Sequence, residues 1–302
     1  MTHRRYGDPL PLGEPDGLPY SKGLMARALI AAGVTAERAY ALARRIESDL
    51  VDRGEYTIEL DRLEELAADV LGPDDAARTT RRLRRYQDLQ ALDLPIVLLV
   101  GGATGTGKST VATEAAHRLG ITRVTSTDFI RQTIRAFFSK GFMPSVHYSS
   151  FDAGDAVEDA ETGDPTLLGF LAQTRNVLVG VEAAVQRALA EGWSIVLEGV
   201  HLVPGMVPQQ IEGALVVHVV LRVPDPDVHA THFHVRDTAT GGVRAMDKYL
   251  SRLGDIRRIQ DYIVARAERT GTPVIDNDNP DHATDEVMQL VLSSAERVQP
   301  VR

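Results

Sequence analysis

Residues 94–112, LPIVLLVGGATGTGKSTVA, constrain this chain more than any other stretch. An apolar run, Ile96–Val100, leads into Gly102-Ala103-Thr104-Gly105-Thr106-Gly107-Lys108-Ser109. This is the full G-x-x-x-x-G-K-[ST] pattern, with a buried strand predicted before it and a helix after it. Glycines let such a loop curl until successive backbone N–H groups point inward at phosphate oxygens. Lys108 brings a mobile positive charge to the β- and γ-phosphates, and the Ser109 hydroxyl is a ligand for Mg²⁺. The helix from Ser109 to Leu119 adds its positive end. Residues 102–110, Thr110 included, are therefore expected to bind a nucleoside triphosphate with magnesium.

The surrounding pattern is strand, helix, strand, helix. Strands are predicted at Ile96–Val100, Thr122–Ser126, Ser194–Leu197, Leu215–Arg222 and Pro273–Ile275, with helices at Asp128–Phe138, 166–191, Asp255–Thr270 and Thr284–Val298. Residues 139–165 form a long polar segment. This alternation implies a parallel sheet sandwiched by helices, an α/β fold of the P-loop kinase type. Ligands of such sheets sit beyond the carboxyl ends of the strands, so chemistry is sought there.

After the second strand, Asp128 is placed to orient or deprotonate an acceptor hydroxyl, or else to cap a helix. Arg131 and Arg135, one turn apart, suit an anionic acceptor or a solvated face. After the third strand, Glu198 is a carboxylate for a metal-bound water or an acceptor hydroxyl. His201 is either a donor to the acceptor or a structural hydrogen-bonding group. After the fifth strand, Asn277 either meets the adenine edge or belongs to a turn.

Residues 229–237, HATHFHVRD, hold three histidines. With no cysteine in the chain and no other metal-ligand spacing, the segment reads against zinc. Basic residues follow it. Arg236 and Arg244 are assigned to the nucleotide and Arg252 and Arg257 to the acceptor. All belong to a lid expected around residues 229–258, with Gly241-Gly242 as its hinge.

Residues 1–20 read as a Pro- and Gly-rich arm, and residues 21–92 as four helices. Ser21 and Thr35 are the expected caps of the first two helices; the third runs over Leu60–Leu71 and the fourth over Asp75–Leu92. Five arginines on the fourth read as a solvated face. Two domains follow, 1–92 and 93–302. A formal net charge of -9 argues against nucleic acid as a partner. The N-terminus has no apolar core of a secretory signal, and no apolar run is long enough for a bilayer, so a cytoplasmic protein without membrane attachment is expected. Oligomeric state is not legible.

Several segments carry a family resemblance: LVGGATGTGKST at 99–110, TSTDFIRQTIR at 125–135, IVLEGVHLVPG at 195–205, DKYLSRLGDIRRIQDYIV at 247–264 and PVIDN at 273–277. Over about 94–295 the chain resembles the 2-phosphoglycerate kinases. The resemblance implies ATP-dependent phosphorylation of 2-phosphoglycerate to 2,3-bisphosphoglycerate. The N-terminal part, through Arg4-Arg5-Tyr6-Gly7, Pro19-Tyr20-Ser21-Lys22-Gly23 and the helices after it, is similar to an ATP-cone, a nucleotide-sensing module. A kinase for another phosphorylated or acidic metabolite, such as an inositol phosphate or a sugar acid, is the nearest alternative, since fold does not select the acceptor. A non-catalytic ATP sensor is the rival of a different class.

Overall fold

Ile96–Gly101, every residue of it buried, forms the central strand, β1, of a computed structural model. The structure describes residues 20–92, 94–157, 163–240 and 246–298, with 234–240 and 246 by backbone only. The sheet has the order β2-β3-β1-β4-β5, where β2 is Val124–Ser126, β3 Ile195–Gly199, β4 Leu215–Arg222 and β5 Val274–Asp276. All four pairings are parallel. A strand run apolar at consecutive positions is what a sheet covered on both faces requires.

The helices supply that cover. On one face Ile130 of α6 (Thr127–Phe137) and Val177, Val181 and Val185 of α7 (Pro165–Ala190) pack on Val97, Leu99, Ile195 and Leu197. A second cluster joins Val220 of β4 to Phe233 of α8 (Pro226–Thr240) and to Ile256, Ile259 and Ile263 of α10 (Leu253–Thr270). Helix α9 (Met246–Ser251) lies between those two in sequence. Burying one Ile or Val side chain stabilises by about 1.5–3 kcal/mol, so these clusters anchor the strand ends that build the site.

Residue 197 is not the end of the third strand. It runs on through Glu198 and Gly199, which pair with Val100 and Gly101 of β1. The polar segment after α6 contains two short 3₁₀ turns, Pro144–His147 and Ala153–Ala156.

The chain divides into two compact units: Met1–Leu94 with His117–Gly120 and Met288–Arg302, and Pro95–Ala116 with Ile121–Val287. The first holds α1 (Lys22–Ala31), α2 (Ala36–Arg53), α3 (Leu60–Leu71), α4 (Pro73–Ala91) and the C-terminal half of α11 (Pro280–Val298). Ser21 caps α1 by accepting from the Leu24 N–H, whereas Thr35 makes no side-chain cap bond. Two of the α4 arginines are tied into packing: Arg82 donates to the Ala32 carbonyl, and Arg85 pairs with Glu296 at 2.7 Å. Arg78, Arg81 and Arg84 remain on the exposed side. The Arg4–Gly7 segment of the ATP-cone resemblance lies outside the described residues. Among the described residues no helix is long and apolar enough to cross a membrane.

Candidate active site

β1 ends at Gly101, and the loop that follows turns directly into α5 (Lys108–Leu119). The strand and helix on either side hold the two ends of the loop. A cleft of about 600 Å³ opens over it, lined by Thr104, Gly105, Gly107, Lys108, Ser109 and Thr110 of the loop. Ser126, Asp128, Glu198, Gly199, Val200, His232, Asn277 and Pro280 complete the lining. The ends of β1, β2, β3 and β5 thus converge on one cavity, where a parallel sheet is expected to bind.

Lys108 is buried, and its ammonium donates to the Ala103 carbonyl at 2.6 Å. Burial pushes its pKa below the ordinary lysine value, against the upward pull of Glu198 and Asp128. Ser109 donates through Oγ to Glu198 Oε1 at 3.0 Å, and Glu198 is itself buried. A hydroxyl and a carboxylate this close are hard oxygen donors suited to magnesium, which keeps several waters and takes few protein ligands. The donor set fits that ion. No cluster of three or more His, Cys, Asp or Glu residues with metal-binding geometry exists among the described residues.

Asp128 is not the cap of α6. Ser126 is, accepting from the Phe129 N–H at 3.0 Å. That leaves the Asp128 carboxylate on the cleft wall, with its side chain 68% exposed and one oxygen 3.2 Å from Arg131 Nε. Arg131 is buried and holds the fold: its Nη1 donates to the carbonyls of Val146 and Tyr148. Arg135, one turn further on, is exposed.

His201 is fully buried and does not line the cleft. Its Nδ1 lies 2.8 Å from Thr127 Oγ1 and its Nε2 2.9 Å from Gln173 Oε1. The Gln173 amide nitrogen donates to the carbonyls of Ser145 and Tyr148, so Oε1 is an acceptor and His201 Nε2 carries the proton. Nδ1 then accepts from the Thr127 hydroxyl. Burial pushes the His201 pKa down to about 3; Asp128 pulls upward, and Arg131 and Lys108 push down. Of the two readings of His201, the structure gives the structural one: it locks Thr127, the residue before Asp128.

The two later cations expected at the acceptor are also engaged. Arg252 pairs with Asp152, Asp155 and Asp255, and Arg257 donates to the carbonyls of Val223 and Pro224. Asn277 is buried and donates to the Thr106 carbonyl at 2.8 Å. The side chain of Arg236 and the whole of Arg244, together with the Gly241-Gly242 hinge, lie outside the described residues. Gly102 and Ala103 sit at the strand end, with Ala103 buried beneath the loop.

Comparison with known proteins accords with this geometry. A 2-phosphoglycerate kinase of Methanopyrus kandleri is 35% identical over 277 residues, covering 91% of this chain and 84% of that protein. The Thermococcus kodakarensis protein of the same name is 37% identical over 261 residues, covering 86% and 88%. The chain belongs to the 2-phosphoglycerate kinase family. A Pyrococcus horikoshii member is 31% identical over 280 residues, covering 93% of this chain and 92% of that one. No family model matches the chain. Among solved structures, a gluconokinase from Sinorhizobium meliloti 1021 aligns with TM-score 0.38 and 19% identity over 68% of this chain and 94% of that one.

As a 2-phosphoglycerate kinase family member, the chain holds features that sequence reasoning passed over. Gln173 and Thr127 gave no motif, because their roles depend on contacts 28 and 74 residues away. His229 and His232 were visible as a pair spaced one helical turn apart, a signal for one shared face.

Proposed function

We propose that this chain transfers the γ-phosphoryl group of ATP to the free hydroxyl of 2-phosphoglycerate, giving ADP and 2,3-bisphosphoglycerate. The observation that carries the reading is the cleft itself. It gathers Lys108, the Ser109–Glu198 pair and the exposed Asp128 carboxylate over a phosphate-binding loop. The loop amides and Lys108 hold the triphosphate, and Lys108 exchanges its bond to the Ala103 carbonyl for phosphate oxygens. Ser109 and, through water, Glu198 would hold Mg²⁺, which neutralises charge on the β- and γ-phosphates when bound. The acceptor hydroxyl oxygen forms a bond to the γ-phosphorus as the bond to the β–γ bridging oxygen breaks. The hydroxyl proton passes to Asp128, and ADP carries the bridging oxygen away. Positioning and electrostatics supply most of the acceleration.

With Arg252 and Arg257 engaged elsewhere, Arg135 is the cation on α6 left to meet the acceptor's anionic groups, and Arg236 and Arg244 act on the nucleotide side. The N-terminal helical unit acts as an ATP-cone-like nucleotide sensor. A second saturable nucleotide-binding event in the full chain tests that role.

The test is a coupled ADP-release assay across 2-phosphoglycerate, 3-phosphoglycerate, gluconate and an inositol monophosphate. Turnover is expected with 2-phosphoglycerate at a kcat/KM at least tenfold above the others. Preference for another acceptor overturns the substrate assignment. ATP binding without turnover on any acceptor supports the sensor alternative.

A further inference from the structure

Three side chains from outside the phosphate loop reach three successive carbonyls of that loop. His229 Nε2 lies 2.8 Å from the Thr104 oxygen, His232 Nδ1 2.9 Å from the Gly105 oxygen, and Asn277 Nδ2 2.8 Å from the Thr106 oxygen. A carbonyl only accepts, so each contact fixes a proton: on Nε2 of His229, on Nδ1 of His232, and on the amide nitrogen of Asn277. Two of the donors come from α8 and one from the turn after β5. Elements distant in sequence thus meet at the loop.

We infer that His229, His232 and Asn277 form a clamp that sets the peptide planes of the phosphate loop, and so act as positioning residues for nucleotide binding. The physical reason is the geometry of a peptide group. Its C=O and N–H point in opposite directions, so a donor that holds a carbonyl on one side directs the adjoining N–H to the other. The peptides held by His229 and Asn277 carry the N–H groups of Gly105 and Gly107, two cleft-lining residues whose amides a triphosphate can use, while the peptide held by His232 turns the Thr106 N–H back onto the Ala103 carbonyl and braces the loop between them. A loop left to itself would lose part of its binding free energy in ordering those planes; one already held does not.

Packing around the clamp supports a fitted arrangement. The His229 ring is buried and stacked on Phe233 at 5.5 Å, and Phe233 stacks in turn on Tyr249 at 5.0 Å. His229 Nδ1 is buried and has no partner among the described residues, so the ring's one hydrogen bond is the donation from Nε2 to the loop. Gly105 and Gly107 both take positive φ, at 85° and 77°. A Cβ on Gly105 would fall on the Phe233 ring, and one on Gly107 would fall on the Asn277 amide. Loop and clamp therefore fit only without side chains at those two positions.

The inference rests on the proposed nucleotide site but is tested apart from turnover. Calorimetry of the full chain with Mg²⁺-ATP measures Kd for wild type, His229→Phe, His229→Gln, His232→Phe and Asn277→Ala, with a thermal midpoint for each. Phe keeps the ring and stack but removes the donor; Gln restores a donor. Each donor loss is expected to weaken nucleotide binding about five- to tenfold, the net worth of one hydrogen bond. His229→Gln recovers most of it, while the KM for the acceptor stays within twofold. If His229→Phe does not fold, His232→Phe and Asn277→Ala carry the same prediction from two separate elements. Wild-type binding together with variant Kd values within twofold of it overturns the clamp. A wild type that takes up no nucleotide refutes the site reading instead.

Discussion

Three buried imidazoles are expected to make this protein's stability fall in acid. Burial is the first cause for all of them: it pushes the pKa of His201 down to about 3, and those of His218 in β4 and His229 to about 4. The hydrogen bonds that His218 and His229 donate to the Leu202 and Thr104 carbonyls offset part of this. The unfolded chain has ordinary histidines near 6.5 and takes up protons that the native chain refuses. Stability is therefore complete above pH 6.5 and falls as pH drops toward 4. At pH 5 the unfolded side gains roughly 2 kcal/mol per histidine over the native side, about 6 kcal/mol for the three. That sum rivals the whole stability of an ordinary domain, about 5–15 kcal/mol. Equilibrium urea unfolding between pH 7.5 and 5 checks it. The logarithm of the unfolding constant should rise as pH falls, with a slope of about three protons near pH 5. His218→Gln, which keeps a donor for the Leu202 carbonyl, should lower that slope by about one. A slope below one, or one that the substitution leaves alone, refutes the reasoning.

Other outcomes follow from single contacts. Asp128→Asn should lower kcat by about 10²- to 10⁴-fold with the Kd for nucleotide unchanged, measured by steady-state kinetics beside calorimetry; a normal rate removes it from the chemistry. Glu198→Gln should raise the magnesium concentration for half-maximal rate about tenfold or more, read from a metal titration, because a charged acceptor beside Ser109 becomes neutral. Gly199→Ala should destabilise by about 2–4 kcal/mol in urea melts, since its Cβ would fall on Thr127 Oγ1 while φ is 152°. Thr127→Ser in the same background should recover little, because the hydroxyl itself is what blocks the space.

Much of this architecture was readable from residue order. The apolar run at 96–100, the glycine spacing and the alternation after it specify a parallel sheet with a phosphate loop at the end of its first strand. Where side chains sit on strand ends, their positions followed: Asp128, Glu198 and Asn277 all reach the cleft. What failed to show was the use made of each charge. Arg131, Arg252 and Arg257 look alike in sequence, yet each is engaged by carbonyls or carboxylates. In the case of Arg252, three of those acids lie 3 to 100 residues away in the chain. Long-range pairing has no local signature, so a cation's partner cannot be read from its neighbours. His201 makes the same point: in EGVH it reads equally as a donor to the acceptor or as a structural group, and only Thr127 and Gln173, 74 and 28 residues away, show both ring nitrogens engaged inside the fold.

The most direct measurement is ³¹P NMR of the full chain mixed with Mg²⁺-ATP and 2-phosphoglycerate. New resonances of ADP and of a second phosphoester on the 3-carbon of the acceptor should grow in equal amounts, and the Lys108→Ala chain, folded as judged by circular dichroism, should produce neither. Loss of ATP signal to inorganic phosphate with the acceptor untouched, or equal product from the lysine variant, would contradict the account.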